Sequence, residues 1–192
     1  MFFLDISSIK KLPKVSCSFS QRRIIFYDDV DEESAFEFIN FINKILFLDD
    51  RLKTKEPIEI MISSYGGSVY SGFTIISMIE QLINMGYNVI TTNIGVCFSM
   101  GFAIFVAGKE RRCYKYGRFM YHDILTAPQG KVQEIKEDIV ECEKLLNYID
   151  SIVVKNTNLK QDQLLYWRER KLDKYFSLDE AIEDGIVNSN IV

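Results

Sequence analysis

Strand-like and helix-like segments alternate along the first half of this chain, and this alternation limits the fold more than any other feature. Short runs rich in β-branched and aromatic residues occur at 23–27, 58–62 and 87–94. Each precedes a segment with apolar residues at helical spacing, at 35–46, 69–83 and 100–107. Three successive strand–helix units predict an α/β fold with a largely parallel sheet and right-handed crossovers.

The second half of the chain predicts two more strands, at 111–114 and 118–124, and then a long helix whose apolar face runs from 132 to 153. A helix of this length either projects onto a neighbouring subunit or folds back on its own core. Ser177 and Glu180 have the spacing of a capping box, Gly185 ends the short helix that follows, and 186–192 predicts a final strand.

Length and composition exclude several classes of protein. The 192 residues suit one domain with a sizeable core, and 47% apolar with 26% charged residues is globular composition. A net charge of −4 without a basic stripe gives no electrostatic basis for nucleic-acid binding. Neither a signal sequence nor a membrane helix is predicted, because the apolar start at 1–5 is too short and no run approaches ~20 apolar residues. We therefore expect a soluble, cytoplasmic protein.

Cysteine and histidine are both poorly arranged for a metal site. The four cysteines lie far apart with no C-x-x-C pair, and the chain has one histidine. Unpaired thiols in a reducing compartment and no metal are the expectation.

That histidine, His122, lies 23 residues after Ser99, which follows a predicted strand and precedes a helix. A serine hydroxyl is a weak nucleophile and needs an adjacent base, usually an imidazole held by a carboxylate. Any Ser-His-acid mechanism in this chain must use His122. Two structural interpretations stay open, because a serine at a helix start is commonly a cap and a lone histidine after an apolar strand is commonly structural. Cys97 has no second histidine to activate it and is interpreted as packing.

Backbone donors are also expected near Ser99. The N–H groups at the start of the helix, including that of Met100, are free of intrahelical partners. The pair Gly66-Gly67 lets bare backbone approach a substrate, although most such pairs are tight turns. A tetrahedral oxyanion needs two such donors.

Taken together, four segments carry a resemblance to a known family. They are Ile60-Met-Ile-Ser-Ser-Tyr-Gly66-Gly67-Ser-Val-Tyr-Ser-Gly72, Ile94-Gly-Val-Cys-Phe-Ser99-Met-Gly101, Phe119-Met-Tyr-His122, and Leu172-Asp173 through Gly185-Ile-Val. In order and approximate spacing they resemble the proteolytic subunit of the Clp protease, ClpP, from residue 22 onward. The resemblance implies the ClpP/crotonase fold, a spiral of βα units with a protruding handle helix. It divides a single domain into an N-terminal segment (1–21), a head core (22–124), a handle (125–160) and a C-terminal part of the head (161–192).

The same resemblance implies a catalytic triad. Ser99 is the nucleophile, His122 the general base and then acid, and Asp173 the acid that orients the imidazole. An apolar lead-in is expected to keep His122 dry, and Asp173 is expected to be partly shielded. Asp123 competes as the orienting acid, but neighbours in a strand point to opposite faces, so it should point away.

Binding groups follow from the resemblance as well. The N–H groups of Gly67 and Met100 form the oxyanion hole, and Ser68, Leu125 and Thr126 contact substrate. The stretch 125–127 resembles the handle strand that pairs with an extended substrate backbone.

Family members form stacked heptameric rings that degrade unfolded polypeptides supplied by a hexameric AAA+ unfoldase, and they use no metal or cofactor. This chain resembles a divergent member. Phe98 replaces a small residue, Glu59 and Met61 occupy unfoldase-docking positions, and Lys171-Leu172 replaces the charged pair that links the rings. A carboxylate in a hydrophobic docking pocket carries a desolvation cost, which disfavours the usual docking.

Two alternatives to an active peptidase remain. One is an inactive ClpP-like subunit that mixes into rings with active paralogues. The other is a crotonase-type acyl-CoA enzyme on the same fold, which would need neither Ser99 nor His122. A plastid stroma replaces the cytoplasm if the protein is organellar.

Overall fold

A mixed sheet of seven strands forms the centre of the protein, in a computed structural model that describes residues 13–189. The strand order is β1-β2-β3-β4-β6-β7, with β5 also paired to β4. The pairings among β2, β3, β4, β5 and β6 are parallel, and β1 and β7 are antiparallel to their neighbours. The strands are β1 (Val15–Ser18), β2 (Arg23–Tyr27), β3 (Ile58–Ser64), β4 (Val89–Phe98), β5 (Glu110–Cys113), β6 (Arg118–Tyr121) and β7 (Lys174–Phe176).

Six helices surround this sheet within residues 13–189. The α/β fold expected from the sequence is confirmed, and the arrangement agrees with the ClpP fold. Strands β1 and β7 and helix α5 were not predicted. The helices are α1 (Glu32–Leu52), α2 (Val69–Asn84), α3 (Met100–Val106), α4 (Val132–Asn156), α5 (Gln161–Glu169) and α6 (Leu178–Glu183).

Alternation along β2 and β3 builds the core. In β3 every second side chain from Ile58 to Ser64 is buried, and β2 buries Ile24 and Phe26 toward the same layer. Helix α3 is buried along its whole length. Burial of each large apolar side chain stabilises the fold by roughly 1.5–3 kcal/mol, so this layer holds α3 firmly under the sheet edge.

The long strand β4 pairs with two strands in succession, and its carboxyl end lies next to that of β6. Its first half pairs with β5, from Ile90 to Asn93, and its last residues pair with β6, from Val96 to Phe98. Both β4 and β6 run in the same direction, so their carboxyl ends lie side by side. Ser99 follows one of these ends and His122 follows the other.

Helix α4 is buried only toward its carboxyl end, at Leu145, Ile149, Asp150 and Val153. Its first three turns are exposed or half-exposed. The protruding handle implied by the resemblance stays a prediction.

The predicted final strand is wrong over 186–189, and 190–192 lie outside the described residues, as does the apolar start at 1–5. Ile186 and Val187 are buried, but the buried side chain of Arg111 donates hydrogen bonds to the carbonyls of Gly185 and Ile186. The side chain of Asn188 in turn accepts from the Arg111 N–H. Together with hydrogen bonds from the N–H groups of Asn188 and Ser189 to the Arg111 carbonyl, these side-chain bonds hold the segment without a strand ladder.

Two further expectations concern membranes and thiols. Within residues 13–189, none of the helices combines the length and apolar character that crossing a lipid bilayer requires. Cys17, Cys97, Cys113 and Cys142 are all free.

The capping box at the start of α6 is confirmed and gives a pH-dependent contribution to stability. Glu180 accepts hydrogen bonds from the Ser177 N–H at 2.7 Å and from Lys174 Nζ at 2.9 Å. The Ser177 backbone bond, then Lys174, lowers the pKa of Glu180 from 4.5 to about 2. A carboxyl with a lowered folded-state pKa stabilises the fold above its unfolded value, and this contribution is lost as the pH falls toward the folded value.

We therefore expect Glu180→Gln to be less stable than the wild type at pH 7. The difference in free energy of unfolding should shrink between about pH 5 and pH 3, measured by urea unfolding at each pH. The control Asp179→Asn removes a charge from the same helical turn but none of these bonds, and should cost less at pH 7. A difference for Glu180→Gln that is constant over this range would contradict the assignment.

Candidate active site

Ser99 occupies the turn between β4 and α3 with φ 54° and ψ −123°. A non-glycine residue in this region stores about 1–3 kcal/mol of strain, and such residues cluster at functional sites. The Ser99 N–H donates to the carbonyl of Met120 at 2.9 Å, and its carbonyl accepts from Phe102 and Ala103 of α3. Among the described residues the Ser99 hydroxyl makes no capping bond to α3. Hydrogen bonds therefore fix the Ser99 backbone on both sides, whereas its hydroxyl is not used to cap α3.

His122 directly follows β6, two residues after the Met120 carbonyl that binds Ser99. Ser99 and His122 line the same cavity, which has a volume of about 420 Å³. The expected dry setting for the imidazole is wrong, because His122 is only half-buried and forms part of the cavity wall.

Asp173 lies in the turn between α5 and β7 and is exposed, so the expected shielding is wrong. The pairing of β6 with β7 nevertheless brings the backbone of Asp173 close to that of His122. Strands β6 and β7 pair Tyr121 with Lys174, and one further step of an antiparallel pair sets His122 opposite Asp173. Within residues 13–189, no hydrogen bond joins the side chains of Ser99, His122 and Asp173. The triad stays a prediction.

Asp123, by contrast, lines the same cavity as Ser99 and His122. The strand argument for Asp123 does not apply, because β6 ends at Tyr121 and strand alternation does not extend to Asp123. That its carboxylate points away from the imidazole stays a prediction. Its carboxylate accepts a hydrogen bond from the Ile124 N–H at 2.7 Å.

The glycine pair brings backbone against the Ser99 turn. Gly66 has φ 103°, and a Cβ there would lie 2.6 Å from the Ser99 Cβ. Gly67 has φ 142°, and a Cβ there would collide with the Val30 carbonyl. Only glycine fits these two close approaches.

Two residues of the cavity wall have backbone N–H groups without an acceptor among the described residues. Gly67 and Met100 both line the cavity, and neither N–H donates to any residue between 13 and 189. Met100 is the first residue of α3, where the N–H has no intrahelical acceptor.

The three predicted substrate contacts have different positions. Leu125 is 92% exposed and lines the cavity, whereas Ser68 and Thr126 are exposed and do not. Ser68 instead caps α2 by accepting from the Ser71 N–H. Residues 122–129 have no regular secondary structure, so their backbone has no strand partner among residues 13–189.

Several wall residues were not anticipated from the sequence, because their placement depends on contacts between distant elements. Tyr65 is the one with a sequence signal, since it directly precedes the glycine pair. The cavity is completed by Tyr65, Val69, Met120, Tyr121, Ile124 and Ile149.

Phe98 acts on the cavity through a neighbour. Its ring packs edge-on against Tyr65 at 5.7 Å and against Tyr175 at 5.6 Å between ring centres. It therefore supports Tyr65, which lines the cavity, and does not line the cavity itself. Cys97 is fully buried, and this burial raises the pKa of its thiol well above the ordinary value, in agreement with a packing role. Over the described range, no group of three or more His, Cys, Asp or Glu side chains could hold a metal ion.

Comparison with known proteins identifies the family. A family model described as Clp protease matches residues 10–192. An ATP-dependent Clp protease proteolytic subunit of Bacteroides thetaiotaomicron is 28% identical over 173 residues, which cover 88% of this chain and 74% of that protein. A protein of the same name from Cyanophora paradoxa is 27% identical over 187 residues, which cover 96% of this chain and 89% of that protein. A match over nearly the whole chain shows that this protein belongs to the Clp protease family.

Proposed function

We propose that this protein is a serine endopeptidase that hydrolyses peptide bonds of unfolded polypeptides inside an oligomeric chamber. One observation carries the proposal. Ser99 has a strained backbone and a hydroxyl that makes no capping bond, and it shares a cavity with His122, the single histidine of the chain. Gly67 and Met100 line the same cavity, and their N–H groups have no acceptor in the described region. Nucleophile, base and oxyanion donors are the three parts that acyl transfer needs.

In the proposed reaction, Ser99 Oγ attacks the carbonyl carbon of the scissile bond while His122 takes the hydroxyl proton. The N–H groups of Gly67 and Met100 donate to the oxyanion that forms. Loss of one such donor typically lowers kcat by about 10²–10³. His122 then gives its proton to the leaving amine, and a water molecule hydrolyses the acyl-enzyme with His122 again as base.

Asp173 is proposed to orient His122, supported by the β6–β7 register. We also propose that the backbone at Leu125 and Thr126, which has no strand partner in the described part of the chain, pairs with an extended substrate, and that Ser68 contacts this substrate from the other side. Main-chain pairing of this kind binds polypeptides with little dependence on their side chains.

Assembly into stacked heptameric rings, with residues 125–160 as the handle, is part of the proposal. The exposed first turns of α4 support it, since they leave a helical surface uncovered in the single chain. Mixed rings with paralogous subunits, and a location in the cytoplasm or a plastid stroma, fit the same proposal.

An AAA+ unfoldase is the proposed source of substrate, and ATP would be consumed by that partner. The relatives are named as subunits of an ATP-dependent protease, which supports this partnership. Docking should differ in detail, because Glu59 accepts hydrogen bonds from Arg23 and Thr92, each at 2.8 Å. A docking loop must fit around that bonded carboxylate.

A fluorophosphonate probe tests the proposal on the assembled protein. We expect the wild type to be labelled covalently and Ser99→Ala to remain unlabelled, because the probe reacts with an activated serine and leaves a phosphonyl ester on Oγ. Ser63→Ala, a change on the outer face of β3, serves as the matched control and should label normally.

The two alternatives predict a different outcome. Neither an inactive structural subunit nor an acyl-CoA enzyme needs an activated Ser99. Under either alternative, both the wild type and Ser99→Ala would stay unlabelled. Labelling that survives Ser99→Ala would also contradict the proposal, because another nucleophile would then be responsible.

A further inference from the structure

A buried ionic cluster lies beneath the cavity and takes no part in the proposed reaction. Its centre is Asp150 of α4, which is 1% exposed. The Asp150 carboxylate accepts hydrogen bonds from Tyr121 Oη at 2.6 Å, Arg168 Nη1 at 2.6 Å and Gln161 Nε2 at 2.7 Å. The cluster therefore joins α4 to β6 and to both ends of α5.

The position of the cluster relates it to the site. Tyr121 directly precedes His122 and itself lines the cavity. Arg168 lies near the end of α5, which leads into the turn that carries Asp173. His122 and Asp173, which are proposed to work together, therefore each lie within a few residues of a side chain that binds the Asp150 carboxylate.

The bonds in the cluster are of the strong, directional kind. Hydrogen bonds to an ionised group are short and roughly twice as strong as neutral ones. Burial, and then the bond to Asp150, raises the pKa of Tyr121, so its hydroxyl stays a neutral donor. Arg168 also donates to Tyr121 Oη at 3.2 Å, which closes a triangle among the three side chains. Moving Asp150 or Arg168 would leave a buried charge without its partner, and moving Tyr121 would remove one of the three bonds to the Asp150 carboxylate, so the observed arrangement is favoured.

We propose, on the basis of the serine peptidase function above, that Tyr121, Asp150 and Arg168 are positioning residues that hold His122 and Asp173 in reacting geometry. The Ser99 N–H already binds the Met120 carbonyl, one residue before Tyr121. A fixed Tyr121 therefore holds the nucleophile turn and the base at one point of β6. Because Asp173 is exposed and His122 is only half-buried, surrounding side chains enclose them less than core residues, and their backbones need this support.

The variant Tyr121→Phe tests this inference with the smallest change. It removes the hydroxyl and keeps the ring, which packs against Phe102 and Trp167. Misplacement of a reacting group by about 1 Å can lower the rate about a hundredfold. We expect kcat for a fluorogenic peptide to fall about ten- to hundredfold while KM stays within about twofold. Tyr116→Phe, at a tyrosine that is 82% exposed, deletes a hydroxyl away from the cavity and should leave both constants unchanged.

A spectroscopic readout separates positioning from general stability. Because His122 is the single histidine, the ring signal of ¹³C-labelled histidine in the assembled protein reports on this residue alone. We expect this signal to shift in Tyr121→Phe and to be unchanged in Tyr116→Phe, at a temperature where all variants are folded and fully assembled. Asp150→Asn gives a second variant that keeps the side-chain shape but replaces one acceptor oxygen with an NH2 donor. Either the oxygen that binds Tyr121 or the oxygen that binds Arg168 and Gln161 is then lost, and kcat should fall further.

The outcomes distinguish the two levels of the proposal. Wild-type kcat together with an unmoved His122 signal in Tyr121→Phe would overturn the positioning role and leave the peptidase function intact. A loss of kcat that follows only a loss of assembly, or a rise of KM with unchanged kcat, would overturn it too. Absence of Ser99-dependent labelling in the wild type would overturn the function and this inference together.

Discussion

Replacement of His122 by alanine is expected to lower kcat for a fluorogenic peptide by about 10⁴–10⁶. Without the imidazole, no base is available to take the Ser99 proton, and the neighbouring donors can only stabilise an oxyanion that rarely forms. The chain contains no second histidine, so no other imidazole can substitute. Initial rates on the assembled variant, compared with the wild type and Ser99→Ala, give the measurement.

A matched pair of variants identifies the acid that orients His122. Asp173→Asn is expected to lower kcat by up to about 10⁴, since the amide favours the wrong tautomer of the imidazole. Asp123→Asn should have a smaller effect, because the Asp123 carboxylate accepts from its own neighbour Ile124. His122→Ala at more than about a hundredth of the wild-type rate would contradict the triad, and the reverse ranking of the two acids would assign the orienting role to Asp123.

Gly66→Ala is expected to lower both stability and activity, although it adds only a single methyl group. The new Cβ would lie 2.6 Å from the Ser99 Cβ, 2.9 Å from the Phe98 carbonyl oxygen and 3.1 Å from the Met100 nitrogen. Overpacking of this kind costs about 1–3 kcal/mol, and the positive φ adds about 1–2 kcal/mol. Because the methyl group displaces the Ser99 turn, kcat should fall at least about a hundredfold in the folded fraction.

Gly86→Ala is the matched control for Gly66→Ala. It imposes a similar strain, with φ 88°, but its Cβ would meet only the Lys55 side chain, at 3.8 Å. We expect Gly86→Ala to lose the strain energy alone and to keep its kcat. Urea unfolding and peptide hydrolysis of both variants provide the comparison. Equal destabilisation in the two, with kcat retained in Gly66→Ala, would show that Gly66 does not support the Ser99 turn.

The sequence was sufficient for the elements whose periodicity reflects burial. Strand β3 alternates strictly in burial, and helix α1 is capped by Asp31, whose carboxylate accepts from the Ser34 N–H, in line with the acids expected at its start. Prediction from the sequence failed for elements that depend on contacts between distant segments of the chain. Strand β1 has four residues and depends on pairing with β2, and α5 buries one side chain, Leu164. A helix this polar is held by bonds from its ends to Asp150, which no local pattern reveals.

The candidate site shows the same division. The positions of Ser99, His122, Gly67 and Met100 around one cavity follow from parallel strands ending at one edge, together with the resemblance. The surroundings did not follow. Asp123 lines the cavity because β6 is shorter than its apolar sequence indicates, and Tyr121 is a cluster member because Asp150 lies 29 residues away in the chain.

The most direct test of the account is to identify the residue that a fluorophosphonate modifies in the assembled wild-type protein. Mass spectrometry of the digested protein gives the modified peptide, the modified atom's residue and the stoichiometry. The account predicts one phosphonyl group per subunit, attached to Ser99, and no phosphonyl group in the His122→Ala variant. A protein that remains unmodified, or that carries the group on another residue such as the exposed Tyr65, would contradict it.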